Sequence, residues 1–286
     1  MTKINKEIGP TKILLISLIA IIIIGAILLK LPICNNQPIK TIDAIFVATS
    51  ATCVTGLTTI VPVEQFTTIG QVILLALIQI GGIGFMTLIS IVLIMIGKKL
   101  NLSDKIIIKE SLNQDSFKGL VVLLKKICIY TFVIEMAGAC ILAIRFIPDF
   151  GIGKGIWFSI FHSISAFCNA GFDLLGENSL IRYSGDWTVC LTIMLLIMIG
   201  GLGFTVWDDI VENIKKRKKL HQLTAHTKLV LLITAILLIT GTMLIFILEC
   251  NNEQTMESNN MRNQNIKISI SINNTKNSRF LYYPTK

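Results

Sequence analysis

Two short stretches, Val54-Thr55-Gly56-Leu57 and Asn169-Ala170-Gly171-Phe172, offer main-chain rather than side-chain chemistry. Extended backbone of this kind points successive carbonyls at a cation and replaces its hydration shell. Glycine at 56 and 171 permits torsions that a Cβ forbids and lets two backbones approach closely. The plainer reading of each glycine alone is an ordinary turn. The two stretches are not alone, however. Ile45-Phe46, Ser50-Ala51, Cys53 and Gly56 recur 115 residues later as Ile160-Phe161, Ser165-Ala166, Cys168 and Gly171. A second block, Gly81-Gly82-Ile83-Gly84-Phe85, recurs 119 residues on as Gly200-Gly201-Leu202-Gly203-Phe204. Paired repeats in a membrane protein place the substrate path at their shared interface.

Side-chain chemistry is sparse by comparison. Glu135 sits mid-span, and an intramembrane carboxylate is a candidate for cation binding, proton exchange or a structural hydrogen bond to a neighbouring pore loop. A pair with Arg145 within one helix is excluded by a separation of about 15 Å. His162 is read as packing rather than ligating, and Asp173 as either a lure for cations or a solvated loop charge. The seven cysteines stand singly, with no CxxC and no histidine at metal-ligand spacing, which argues against a zinc site or a disulfide framework. An enzyme needs convergent acid, base or nucleophile groups at one depth. None converge, so no catalytic residue and no covalent cofactor is assigned.

The elements that position the two loops follow from composition. With 53% hydrophobic and 15% charged residues among 286, and a mean hydropathy of +0.73, the chain reads as an all-α polytopic membrane protein, since soluble domains carry about 25% charged residues. Full spans are predicted at 11–31, 69–97, 125–147, 187–207 and 228–249, with shorter re-entrant helices at 41–52 and 155–167. Each unit is span, re-entrant pore helix, filter loop, span. Two are complete, at 11–97 and 125–207, and 228–249 opens a third. The first span is retained rather than cleaved, because no small-x-small site follows it.

Seven lysines against three acids between Lys98 and Lys126, and the run Lys215-Lys216-Arg217-Lys218-Lys219, mark the linkers 98–124 and 208–227 as cytoplasmic. Such a run read alone is also a nucleic-acid patch; between membrane spans it is positive-inside charge, so no nucleic-acid partner is expected and the N-terminus faces the cytoplasm. The first linker is either an amphipathic surface helix or a solvated connection. The segment 250–286 is Asn-rich and is expected to be disordered, or aberrant through a shifted reading frame.

Thr49-Ser50-Ala51-Thr52-Cys53-Val54-Thr55-Gly56-Leu57, Asn169-Ala170-Gly171-Phe172 and the two GGxGF blocks resemble the Trk/Ktr/HKT superfamily of potassium transporters, in particular bacterial Ktr-type and TrkH-like subunits and relatives of sodium-ATPase subunit J. The resemblance implies four repeats around one axis with one filter glycine each, Gly56 and Gly171 matching the first two. It implies uptake of K+, with Na+ as a possible second ion, across the plasma membrane. It also implies a homodimer in full-length members and a cytoplasmic nucleotide-binding regulatory subunit as partner, besides membrane lipid. In plant relatives a serine at the first glycine accompanies sodium selectivity, so Gly56 points to potassium. The GGxGF glycines 81, 82, 84, 200, 201 and 203 are read either as close-packing residues or as a hinge. Two repeats are half of the implied four. The chain is therefore expected to be C-terminally truncated, and the alternatives are a non-conducting fragment or a half-transporter that dimerises.

Overall fold

A computed structural model describes residues 10–84, 120–176, 178–216 and 222–249. Phe85, the remainder of the span expected to reach 97, residues 98–119 of the first linker, residues 217–221 of the second and the segment 250–286 lie outside the described residues.

The described chain is helical. Helix α1 (Pro10–Lys30) is 21 residues long and almost wholly aliphatic, enough for about 31 Å of rise. Helix α2 (Thr41–Thr52) is a 12-residue half-helix. A single turn, α3 (Pro62–Gln65), leads into α4 (Thr68–Ile83). The second unit repeats this plan with α5 (Leu120–Phe150), α6 (Ile152–Phe167) and α7 (Trp187–Gly201). Helices α8 (Phe204–Lys215) and α9 (Ala225–Glu249) follow. Leu124–Phe150 and Ala225–Leu248 are long and apolar enough to cross a bilayer.

Within each unit the first helix packs on its half-helix and on the second helix: α1 on α2 and α4, then α5 on α6 and α7. The units meet where α4 packs on α6. One core runs through both, joining Val47, Ala48 and Ala51 of α2, Leu74 and Ile78 of α4, Phe161 and Phe167 of α6, and Ile193 and Ile197 of α7. Lipid tails are as apolar as these side chains, so fit rather than escape from water favours the contacts. Small residues make the fit possible. A Cβ on Gly155 would lie 2.6 Å from Ile147 Cα, so the tight α5–α6 hairpin needs glycine there. The opposite faces of α1, α5 and α9 leave Ile16, Phe132 and Leu237 more than half exposed, as lipid-facing residues are.

One span departs from its predicted form. The sequence runs on as apolar through 187–207, but α7 stops at Gly201, the axis bends by 100° and α8 starts at Phe204. Gly203, at φ +88°, makes the corner, a torsion that side-chain-bearing residues rarely adopt. The Trp207 indole N–H donates to the Ile199 carbonyl at 2.8 Å and satisfies an acceptor at the end of α7. Residues 208–215, expected in a linker, are the second half of this helix. It buries Val206, its Asp208 pairs with Lys126 of α5, and its Asp209 accepts from the Thr224 N–H and hydroxyl ahead of α9.

Candidate functional site

Both half-helices end at the loops singled out in the sequence, and the loops are built alike. After α2, the N–H groups of Cys53, Val54 and Thr55 donate to the carbonyls of Thr49, Ala51 and Ser50 at 2.8, 3.2 and 2.8 Å. After α6, those of Cys168, Asn169 and Ala170 donate to Ile164, Ala166 and Ser165 at 2.9, 3.0 and 2.8 Å. The loop donors are thereby spent on the unpaired carbonyls of the helix end. Backbone φ is +56° at Val54 and +76° at Gly56, and +58° at Asn169 and +74° at Gly171, whereas Thr55 and Ala170 between them have no positive φ. The two loops thus share one pattern, a positive φ at their first and third positions. Among the described residues, none of the carbonyls of Val54, Thr55, Gly56, Asn169, Ala170 or Gly171 accepts a hydrogen bond. Two rows of unengaged oxygens, each beyond the negative end of a helix dipole, are a chemistry suited to a dehydrated cation.

The loops are neighbours. A Cβ on Gly56 would lie 2.6 Å from the Ala170 oxygen and 3.1 Å from Gly171 Cα, so the absence of a side chain at 56 is what admits the second loop. Above them a cavity of about 420 Å³ is bounded by Gly56 to Pro62 of the first unit and by Gly171, Phe172 and Asp173 of the second. Asp173 is not simply solvated: it lines this cavity and accepts from the Leu175 N–H at 2.9 Å and the Ser179 hydroxyl at 2.8 Å. On the other rim Thr59 donates to Asp43 at 2.8 Å.

Two residues of the expected set differ between the loops. The Phe172 carbonyl accepts from the Ser165 hydroxyl at 2.6 Å, and the Phe172 N–H donates back to that oxygen at 3.0 Å. This carbonyl is engaged behind the loop, so the second stretch offers three oxygens rather than four. In the first unit the equivalent Ser50 hydroxyl is buried without a partner, and Leu57 has no such clasp.

Glu135 is buried and accepts from Gln79 of α4 at 2.9 Å, and its own carbonyl accepts from Ser163 of α6 at 2.6 Å. Its partner is thus a span of the first unit and not a pore loop. Gln79 also takes a long contact from Cys168 Sγ at 3.8 Å, which ties the start of the second loop to α4. Trp157 adds a second tie by donating to Gln71 at 2.7 Å. These glutamines carry a signal that was available in the sequence, being polar residues inside an apolar span. Arg145 pairs with Asp186, which also caps α7 through the Thr188 and Val189 N–H groups. Nearby, burial and the Asp149 carboxylate push the Tyr183 phenol well above its ordinary range. His162 packs, as expected, against Phe146, Phe158 and Phe161. It also holds the outer limb of the second loop, because Nε2 accepts from the Leu174 N–H at 3.4 Å.

The GGxGF glycines stand in different surroundings. Gly81 and Gly200 seat against the carbonyls that end the half-helices, Thr52 and Phe167, and Gly82 lies against Cys168. Gly84, at φ +87°, caps α4, and Gly203, at φ +88°, sits at the 100° bend between α7 and α8. Gly201 meets only Asn169 Nδ2, at 3.9 Å.

The profile of the TrkH family, described as cation transport protein, matches residues 10–255. The chain belongs to this family. As a TrkH-family chain it is 42% identical over 247 residues to the Ktr system potassium uptake protein B of Bacillus subtilis, covering 86% of this chain and 54% of that one. It is 41% identical over 251 residues to the potassium/sodium uptake protein NtpJ of Enterococcus hirae, covering 87% and 54%. The crystal structure of the potassium transporter TrkH from Vibrio parahaemolyticus shares the fold, with a TM-score of 0.64 at 16% identity over 95% of this chain and 52% of that one. The chain spans about half the length of these relatives.

Proposed function

We propose that this TrkH-family chain contributes to potassium uptake across the plasma membrane, through a path lined by main-chain carbonyls of the Val54–Gly56 and Asn169–Gly171 stretches. The observation that carries this reading is the matched torsions of the two loops, with their donors spent on the half-helices and their acceptors unengaged. Transport then proceeds by dehydration and rehydration of the ion, with no covalent step. The names of the relatives support potassium, with sodium as a second ion. Glycine at 56 supports potassium over sodium on the resemblance described above. The charge pattern supports a cytoplasmic N-terminus. Resemblance supports a nucleotide-binding regulatory subunit on the same side, and a homodimer for full-length members.

A second reading is favoured by the number of loops. Two loops do not encircle an ion by themselves, and the reading is a non-conducting fragment, or a half-transporter that dimerises. Expression of this chain in a bacterium lacking potassium uptake separates the readings. Growth at low external potassium supports conduction. No growth, with the chain present in the membrane at normal abundance, supports the fragment.

A further inference from the structure

Behind the second loop lies a chain of polar groups that the ion path does not use. Cys168 caps α6, and Asn169, at φ +58°, starts the loop after it. The thiol is buried against α4, where a Cβ on Gly82 would lie 2.4 Å from Sγ. Gln79 stands three residues before Gly82, on the same face of α4, and its Oε1 takes the Cys168 thiol at 3.8 Å. The other end of that amide donates to Glu135 Oε1 at 2.9 Å. A carboxylate only accepts, so Glu135 turns the Gln79 NH2 towards α5 and the Gln79 carbonyl towards the thiol. Glu135 also grips α6 through its main chain, because its carbonyl accepts from the buried Ser163 hydroxyl at 2.6 Å. A Cβ on Gly138 would lie 2.6 Å from that hydroxyl, so α5 and α6 touch at this level. One residue of α5 thus holds α6 at Ser163 and, through Gln79, at Cys168 beside the loop.

Packing alone does not account for Glu135. At 7% exposed, its carboxyl gives up solvation for a hydrogen bond to Gln79, and an apolar side chain of similar size would fill the seam at lower cost. Nor does the repeat require the chain. The residue 119 positions after Gln79 is Met198, which has no amide to relay a contact. The polar chain belongs to the seam between the units, and it ends at one loop.

We propose that Glu135 is a positioning residue for the second loop: through Gln79 it fixes where Cys168 stands, and with it the Asn169–Gly171 carbonyls. Glu135 acts by its hydrogen bond to Gln79 and not by its charge. The first loop is independent of it. The proposal rests on the transport reading for the use of those carbonyls, while their placement stands on the geometry of the seam.

Amide hydrogen exchange of the full chain in lipid nanodiscs tests the placement. Glu135→Leu should speed exchange at Cys168, Asn169 and Ala170, whose N–H groups bond the end of α6, by at least about threefold. The amides of Cys53, Val54 and Thr55 should keep the parental rate. Glu135→Gln, which still accepts from Gln79, should behave as the parent. Gln71→Leu cuts the Trp157 tie between the same two helices and should leave the second loop unchanged, which separates positioning from general loosening. If Glu135→Leu does not reach the membrane, Glu135→Leu/Gln79→Met, which strands neither partner, takes its place. Unchanged exchange at 168–170, an equal rise in both loops, or Glu135→Gln matching Glu135→Leu overturns the proposal. Potassium uptake is measured beside it, and the half-saturating potassium concentration should rise in Glu135→Leu by a similar factor at unchanged membrane abundance. A loosened second loop with parental half-saturation, or with no uptake even by the parent chain, upholds the placement and refutes the transport reading.

Discussion

Gly56→Ser probes the contact between the two loops most directly. Any side chain at 56 must adopt φ +76°, a left-handed torsion that costs a non-glycine residue about 1–2 kcal/mol. Its Cβ would also lie 2.6 Å from the Ala170 carbonyl oxygen, where ordinary contact begins at 3.4 Å. Backbone cannot rotate away as a side-chain tip can, so that oxygen must retreat by about 0.8 Å, and overpacking of this kind costs about 1–3 kcal/mol. The sum, about 2–5 kcal/mol, falls on a carbonyl of the proposed ion path. If roughly 1.4 kcal/mol of it reaches cation coordination, the preference for potassium over sodium drops about tenfold. Gly151→Ala is the control: Gly151 sits at φ +80° but has nothing within 4 Å of its would-be Cβ, so only the torsional cost applies. The assay pairs competitive potassium and sodium uptake with thermal unfolding in detergent. A Gly56→Ser chain that unfolds no earlier than Gly151→Ala and keeps its ion preference refutes the reasoning.

Ser165→Ala should destabilise by about 2–3 kcal/mol, because the buried Phe172 N–H and carbonyl lose their shared partner. Ser50→Ala removes a buried hydroxyl that has no partner and should be neutral or stabilising in the same unfolding assay. Gln79→Leu should cost about 2–3 kcal/mol by stranding the Glu135 carboxyl, whereas Glu135→Gln, which keeps a hydrogen bond to Gln79, should cost less than about 1 kcal/mol. At Asp186, burial works to raise the carboxyl's pKa, but the Val189 N–H, the Arg145 guanidinium and the Thr188 N–H outweigh it and hold the group below the usual carboxylate range. A depressed folded value means that the contribution is fully present above about pH 4 and fades as pH falls through the folded value. Asp186→Ala should therefore lower stability by about 1–2 kcal/mol at pH 7, with the gap from the parent chain narrowing in acid unfolding curves.

Local patterns in the sequence carried much of this architecture, and long-range pairings did not. The half-helix predicted at 41–52 is α2, residue for residue, because an apolar run too short to cross ends there in a glycine loop. The exchange between Gln79 and Glu135 joins residues 56 apart through a packing that no periodicity encodes. The pairing of Arg145 with Asp186 is hidden in the same way. The break between α7 and α8 was obscured for a different reason. Apolar residues continue on both sides of Gly203, and hydropathy registers neither a positive φ nor a 100° change of direction. Ser50 and Ser165 occupy equivalent positions in the two repeats, yet only Ser165 clasps its loop.

Val54 and Asn169 share one torsional corner, at φ +56° and +58°, with no side-chain chemistry in common. Where the working atoms belong to the main chain, two repeated units can differ in composition provided they keep one handedness. Asparagine occupies that corner at small cost, but valine, branched at Cβ, is a genuine outlier there. The first loop therefore carries a standing torsional load that the second lacks. Two loops of the same shape thus differ in their readiness to leave it.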